Sequence, residues 1–408
     1  MIAHIETART TKFTLDSVIG FMLGLPFATP RPPWYLFGFV CLTILAPRIF
    51  SDVRKTRLTY LVAVMSCACF TAMSTLVSPD SADISTSAAF GSSIVFCFFL
   101  FGFGVQNILH LLRGYCCAMS MIAIAVWIAF CGTGKWVYGI ELFVYPNLRM
   151  WGSDLFPDWP NFLCFGLTLS FLLNSLVHKN YSHAALNLGA AVLTTSRLSI
   201  VGIVLGIGYL AMHVGMRRRM FPILFGAVLL IAGVMAIRTD AMENADQIFQ
   251  RLQKTQDREI VYEHLWRRFI DRPILGWGAV SARGGDTEMA FQDDSVMSFH
   301  SSYLEILVRG GILSFIPYLY VIFPGNLWQY RRGPYTWLIL LFLLCATVQN
   351  ILKHPHYVMM FSALLVHRRQ LAEILVGENA TAETTKQLRS QVVRPASRIP
   401  VLLSGERQ

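Results

Sequence analysis

Apolar residues recur along the chain in blocks of about 15 to 20, separated by short polar stretches. In lipid every backbone N–H and C=O must be paired within its own segment or in a closed barrel, and barrel strands alternate over only about 10 residues. Long continuous blocks therefore predict membrane-spanning helices. Candidate spans lie near 13–29, 34–50, 58–77, 89–106, 114–132, 160–177, 184–196, 198–214, 221–237, 304–325, 335–349 and 357–366, twelve in all. The stretch 184–214 is 31 residues of almost unbroken apolar sequence. As one helix it would be roughly 46 Å long, against a hydrocarbon core of about 30 Å. It is therefore divided at Thr194-Thr195-Ser196-Arg197, which puts Arg197 at a membrane boundary between two short helices.

The pattern predicts an all-α polytopic integral membrane protein of about 12 transmembrane helices carrying one large helical loop. Residues 1–237 hold about nine spans, 238–300 form the large hydrophilic loop, 301–366 hold about three spans, and 367–408 form a polar, partly disordered tail containing Pro395 and Pro400. No internal repeat marks two related halves. The N-terminal MIAHIETARTTKF lacks a basic stretch running into a short apolar core, so no cleaved signal peptide is expected.

Charge orients the spans. Arg48, Arg54, Lys55, Arg57, Arg113, Lys179, Arg217, Arg218, Arg219, Arg331 and Arg332 all fall in loops on one side, which the positive-inside rule makes cytoplasmic together with both termini. The other side receives 78–86, 133–158, 238–300 and 353–356. Segment 238–300 carries 8 Lys/Arg against 11 Asp/Glu, a net of −3, as an outward loop should. A formal charge of +10 in a soluble protein would suggest nucleic acid. With 54% hydrophobic and 14% charged residues distributed this way, the positive charge is an orientation signal and no nucleic-acid partner is expected. All nine cysteines lie in or at the edge of apolar blocks, with neither a disulfide framework nor zinc spacing.

Arg197 is the first candidate for chemistry, because an arginine in an apolar stretch costs several kcal/mol unless it pairs, snorkels or faces a wet cavity. It is either functional or an interface anchor. In the large loop, Thr239-Asp240 is an N-cap signal. Apolar residues at helical spacing, Met242 to Leu252 and then Ile260 to Ile270, predict one or two amphipathic helices lying on the membrane or across the bundle. Pro273 stops the second, and Gly276-Trp277-Gly278 forms a tight turn after it. The opposite face carries Arg251, Lys254, Arg258, Arg267, Arg268 and Arg272. Guanidinium forks suit phosphate oxygens; the competing reading is a solvated face paired with Asp257, Glu259, Glu263 and Asp271. His300 closes the loop at a water boundary, where it is an acid, a base, a hydrogen-bond donor or simply structural. Glu305, further along the next helix, is a candidate partner. Lys353, His354 and His356 lie in another outward loop. Asp286, Glu288, Asp293 and Asp294 lack ligand spacing and read as a solvated turn. HExxH, GxxxxGK(S/T) and GxSxG are absent, which leaves metalloprotease, P-loop and α/β-hydrolase chemistry without support.

Three blocks in order, TTSRLSIVGIVLGIGYL (194–210), DREIVYEHLWRRFIDRPILGWGAV (257–280) and HSSYLEILVRGGILSF (300–315), resemble the O-antigen ligase and lipid-linked polysaccharide polymerase superfamily of bacterial inner membranes. The resemblance covers about 190–330. It implies a multi-pass inner-membrane protein whose loop 238–300 is periplasmic. It also implies a metal-independent inverting glycosyltransferase, without cofactor, that takes its donor glycan from undecaprenyl pyrophosphate and passes it to an acceptor sugar, on lipid A core or a growing polysaccharide. Arg197 and Arg258 match the family's arginines associated with the donor pyrophosphate, and His300 matches its essential loop histidine. Arg251, Arg267 and Glu305 are further substrate-binding candidates. Ser301 departs from the family's usual Asn, and Arg309 stands where an acidic residue is common. A flippase or transporter of glycolipids is the reading from a different class; it predicts mid-membrane charges and repeat symmetry. A membrane scaffold is a third.

Overall fold

A computed structural model of the chain describes residues 14–25, 58–77, 107–133, 159–193, 202–204, 207, 223–229, 258–278, 301–322 and 334–348, with single positions at 357, 360, 361, 363, 364, 367 and 371. Among these residues every regular element is helical. The elements are α1 (Leu15–Gly24), α2 (Leu58–Val77), α3 (Ile108–Thr133), α4 (Trp159–Leu173) running into a π-turn at Asn174–His178, α5 (Tyr181–Leu193), α6 (Arg258–Asp271), α7 (Ser302–Ile322) and α8 (Pro334–Val348).

Helix starts follow from side-chain caps. Thr14 Oγ1 accepts from the Ser17 N–H at 3.4 Å and Asp16 lies in the first turn of α1, where a carboxylate complements the helix dipole. Asp16 also accepts from the Asn107 N–H at 3.0 Å, and Asn107 in turn caps α3 by accepting from Leu109 at 3.0 Å. One carboxylate thus ties the start of α1 to the start of α3. The two helices then pack through small residues: a Cβ on Gly20 would run into the Leu111 carbonyl oxygen, one on Gly114 into the Ser17 carbonyl oxygen, and one on Gly24 into Ala118. Gly20 and Gly24, like Gly114 and Ala118, are four apart, the small-xxx-small spacing by which helix backbones approach where lipid supplies no hydrophobic drive.

Buried polar groups inside the bundle are met largely by backbone oxygens. Tyr115 donates to the Gly166 carbonyl at 3.2 Å, Trp127 to Leu186 at 3.2 Å and Cys164 to Ala191 at 3.1 Å. Asn187, Asn174, Thr71, Glu305 and Arg309 are buried, while Met73, Leu76, Ile128 and Ile316 are exposed. Buried polar groups beside exposed large apolar side chains are consistent with an all-α membrane protein. By length and composition Ile108–Ile128 is, among the described residues, the helix able to cross a membrane; Leu15–Gly24, Met65–Val77, Leu163–His178 and Leu338–Thr347 are shorter apolar helices. The remaining expected spans fall wholly or partly on residues outside the described set.

Two expectations need correction. The block taken as 114–132 begins at Ile108, so Arg113 lies inside α3 with its side chain exposed and not in a loop. A long basic side chain can leave a helix surface without ending the helix. The block taken as one span at 304–325 is broken: Gly311 has φ 60° and ψ −165°, which divides α7 into two half-helices. In the first half Glu305 and Arg309 form an ion pair, Nε to Oε1 3.0 Å, with side chains 0% and 1% exposed. The carboxylate sits in the opening turn and the guanidinium in the last turn before the break, the arrangement that favours both ends of a helix dipole.

Gly114→Val should sharply reduce folded, detergent-extractable protein, because the blocking atom is backbone and cannot move aside as a side chain would; fluorescence-detected size exclusion reads this, and a normal monodisperse peak would contradict the packing. Removing one partner of the buried pair, by Glu305→Gln or Arg309→Met, should destabilise the protein by about 3–5 kcal/mol. The double variant should recover part of that loss in thermal unfolding, since no uncompensated charge remains.

Candidate functional site

Helix α6 presents Leu265 and Phe269 to α7, where they form a small buried cluster with Val308, flanked by Leu304, Leu307 and Trp277. Pro273 has no N–H to continue α6, and the chain turns through Arg272 to Leu275, with the Gly276 N–H bonded to the Arg272 carbonyl at 3.0 Å. The expected helix and its stop at Pro273 are present, while the turn, expected at Gly276-Trp277-Gly278, falls at Arg272 to Leu275. The first part of the loop, including Arg251 and Lys254, lies outside the described residues.

The turn enters the break in α7. An unbroken helix would pair the Ile312 N–H with the Val308 carbonyl and Leu313 with Arg309. Instead the Ile312 N–H donates to Pro273 at 2.9 Å and the Leu313 N–H to Ile274 at 3.3 Å. The freed carbonyls of Val308 and Arg309 accept from Trp277 at 2.7 Å and Gly278 at 2.8 Å. Two helical bonds are exchanged for four bonds to the loop, so the break leaves none of these four groups without a partner. The exchange requires glycine. Gly276 has φ 70° and Gly278 φ 74°, a Cβ on Gly276 would meet the Val308 oxygen, and one on Gly311 would meet the Ile274 oxygen. Thr71 of α2 meets Ser314 at 3.2 Å just beyond the break, and Gly278 lies against Ser74 and Thr75, so α2 backs the same joint.

Trp277 is held by three contacts with the end of α6 and the turn after it. Its Nε1–H donates to the Arg268 carbonyl at 2.8 Å, and the guanidinium carbons of Arg268 and Arg272 lie 5.5 and 4.5 Å from its ring centroid. Arg268 and Arg272, expected on a solvated or phosphate-facing surface, therefore stack on this indole. Arg267 is exposed and pairs with Glu263 at 2.6 Å, an interaction worth little in solvent.

At the start of α7 Ser301 is the N-cap, its Oγ accepting from the Leu304 N–H at 3.4 Å. Ser is among the residues that cap a helix best. Arg309, the other departure, is accounted for by its pair with Glu305. Tyr303 donates to the Leu343 carbonyl at 3.4 Å and Tyr262 of α6 to the Thr347 carbonyl at 3.5 Å, which anchors both elements on α8.

The sequence candidates divide accordingly. Arg197, Arg251 and His300 lie outside the described residues, as do Lys353, His354, His356 and the acidic residues 286–294. Arg258 is the first residue of α6. Its helix is joined to α7, whose N-cap directly follows His300. Glu305 is buried and paired within α7, whereas Arg267 is on the outer face of α6; the structure does not bring these two together. The sequence singled out Arg309 only as a departure, and both its pairing with Glu305 and the joint itself were missed. Their signals were the Glu–Arg spacing of four and the Gly310-Gly311 pair inside an apolar block. Among the described residues no group of three or more His, Cys, Asp or Glu is placed to hold a metal ion.

A search of curated proteins finds no match to this chain. The family model described as O-antigen ligase matches residues 183–319, which is 137 of the 408 residues. That match takes in Arg197, Arg258, His300 and the whole joint between α6 and α7, and it supports membership of the superfamily that the three sequence blocks resemble.

Proposed function

We propose that the chain is a metal-independent inverting glycosyltransferase that moves a glycan from undecaprenyl pyrophosphate to an acceptor sugar at the periplasmic face of the inner membrane, as a ligase or a polymerase of surface polysaccharide. The acceptor hydroxyl oxygen attacks the anomeric carbon, the bond from that carbon to the pyrophosphate oxygen breaks, and the leaving group departs with the electron pair as an anion. Arg197 and Arg258 stabilise the charge that develops on it, in the way that fixed cations lower the barrier of any step releasing an anion. His300 orients the acceptor hydroxyl or takes its proton. Arg251 and Arg267 extend the basic surface toward the donor. Glu305 enters through Arg309, holding the half-helix that starts beside His300.

The observation that carries this reading is the family match over 183–319, which contains all three principal residues in the order the motifs require. The joint supports it, since it fixes the helix that Arg258 opens against the helix that follows His300. In transporters the free ends of broken helices face substrate or ions. Here the ends at Gly311 are occupied by loop backbone, which favours a transferase over a flippase.

Arg197→Ala, Arg258→Ala and His300→Ala, each present at normal membrane levels, should lower transfer into surface polysaccharide by about 10²–10³-fold, the range for losing one charge-stabilising group. Undiminished product in all three would refute the transferase. In a deletion strain, long glycan stranded on the carrier identifies a ligase, and accumulated single repeats identify a polymerase.

A further inference from the structure

Around α6 the side chains fall in adjacent rows. Leu265 and Phe269, 7% and 9% exposed, cover α7; Trp266 and Ile270, one position on, are 49% and 57% exposed, and Ile274 in the following turn is 64% exposed. The next row is Glu263 and Arg267, exposed and paired to each other. The apolar surface of the helix thus runs past its protein contact and stops at a charged, water-facing row.

The structure also fixes the depth of this uncovered strip. Tyr262, one turn before Trp266 on the same side, donates to the carbonyl of Thr347, and Thr347 is the last residue of the apolar stretch Leu338–Thr347. On the α7 side the helix packs on Leu304, in the turn capped by Ser301. Both neighbours are ends of apolar helices, which on the expected topology are their outward-facing ends.

We infer that α6 is an interfacial helix whose residues Trp266, Ile270 and Ile274 are seated in the headgroup–acyl boundary of the outward leaflet, with lipid as their covering. A helix with one strongly polar face and a Trp-bearing apolar face is the kind that lies in this plane, and Trp and Tyr concentrate there. The inference rests on the membrane topology of the proposed function, α7 and α8 entering the bilayer, and not on its chemistry. It gives that chemistry a location, since a helix moored at the headgroup layer holds Arg258 at the level where a lipid-borne pyrophosphate arrives.

The test places a benzophenone amino acid singly at positions 263, 266, 267, 270 and 274 of the full chain, reconstituted in vesicles of phosphatidylethanolamine and phosphatidylglycerol. After irradiation, phospholipid adducts are measured by mass spectrometry of the labelled peptide. The expected result is adducts at 266, 270 and 274 and several-fold fewer at 263 and 267. Equal yields at all five positions, no lipid adduct at 266 and 270, or crosslinks there to a second copy of the chain would overturn the inference. Repeating the series in a His300→Ala background separates it from the transferase reading, because the lipid pattern needs no turnover and should be unchanged.

Discussion

Everything around the candidate site depends on one constraint: a helix broken inside a bundle must find partners for the backbone groups it releases. An unpaired N–H or C=O away from water costs about 1–3 kcal/mol, and the break at Gly311 frees two of each. The turn 273–278 meets all four. The loop therefore holds α7 through main-chain bonds whose geometry is independent of side-chain rotamers. A contact made only by side chains would allow α6 to slide or tilt; one made by two donors and two acceptors at successive residues fixes both register and direction. The glycines at 276 and 311 follow from this arrangement, because the two backbones approach too closely for a Cβ between them, and Gly278 follows from the approach of α2 at Ser74 and Thr75.

Electrostatics acts on the same half-helix. With the helix ending at Gly311, its last carbonyls carry a partial negative charge, and Arg309 sits among them while Glu305 sits near the opposite end. Each side chain compensates a terminus and the two compensate each other, which is how a carboxylate and a guanidinium can both be buried in an apolar helix. A carboxylate at 309 would have put two like charges one turn apart on a buried face. Arginine at 309 instead gives Glu305 an opposite charge one turn away.

Legibility in the sequence varied for physical reasons. The helix Leu58–Val77 lies on a block that was readable because Arg57 and the Ser78-Pro79 pair bound an uninterrupted apolar run. The start of α3 was placed six residues late, because a hydropathy pattern ends at a charge while a helix carries Arg113 on its surface. The break in α7 was invisible, since Gly310-Gly311 in an apolar block looks like the small residues that membrane helices use for close packing. Only the partner loop, tens of residues earlier, tells a packing glycine from a breaking one. The amphipathic helix and its stop were legible from spacing and Pro273. The stacking of Arg268 and Arg272 on Trp277 was not, because it needs the turn to fold the chain back by nine and five residues.

Two of the three sequence blocks can now be separated by what they contribute to the structure. In 257–280 the Pro and the glycines serve the joint, and in 300–315 so do Gly310 and Gly311, while Ser301, Glu305 and Arg309 set the half-helix between. These residues form an interlocking frame, with Arg258 at the start of its helix and His300 just before the cap of the other. The frame explains why motif residues of such different character occur together: the glycines and the proline are needed for two backbones to meet, and the charged residues are carried on what that meeting holds in place. It also gives Ser301 its part, since the half-helix needs a capping oxygen at its start and the serine hydroxyl supplies it.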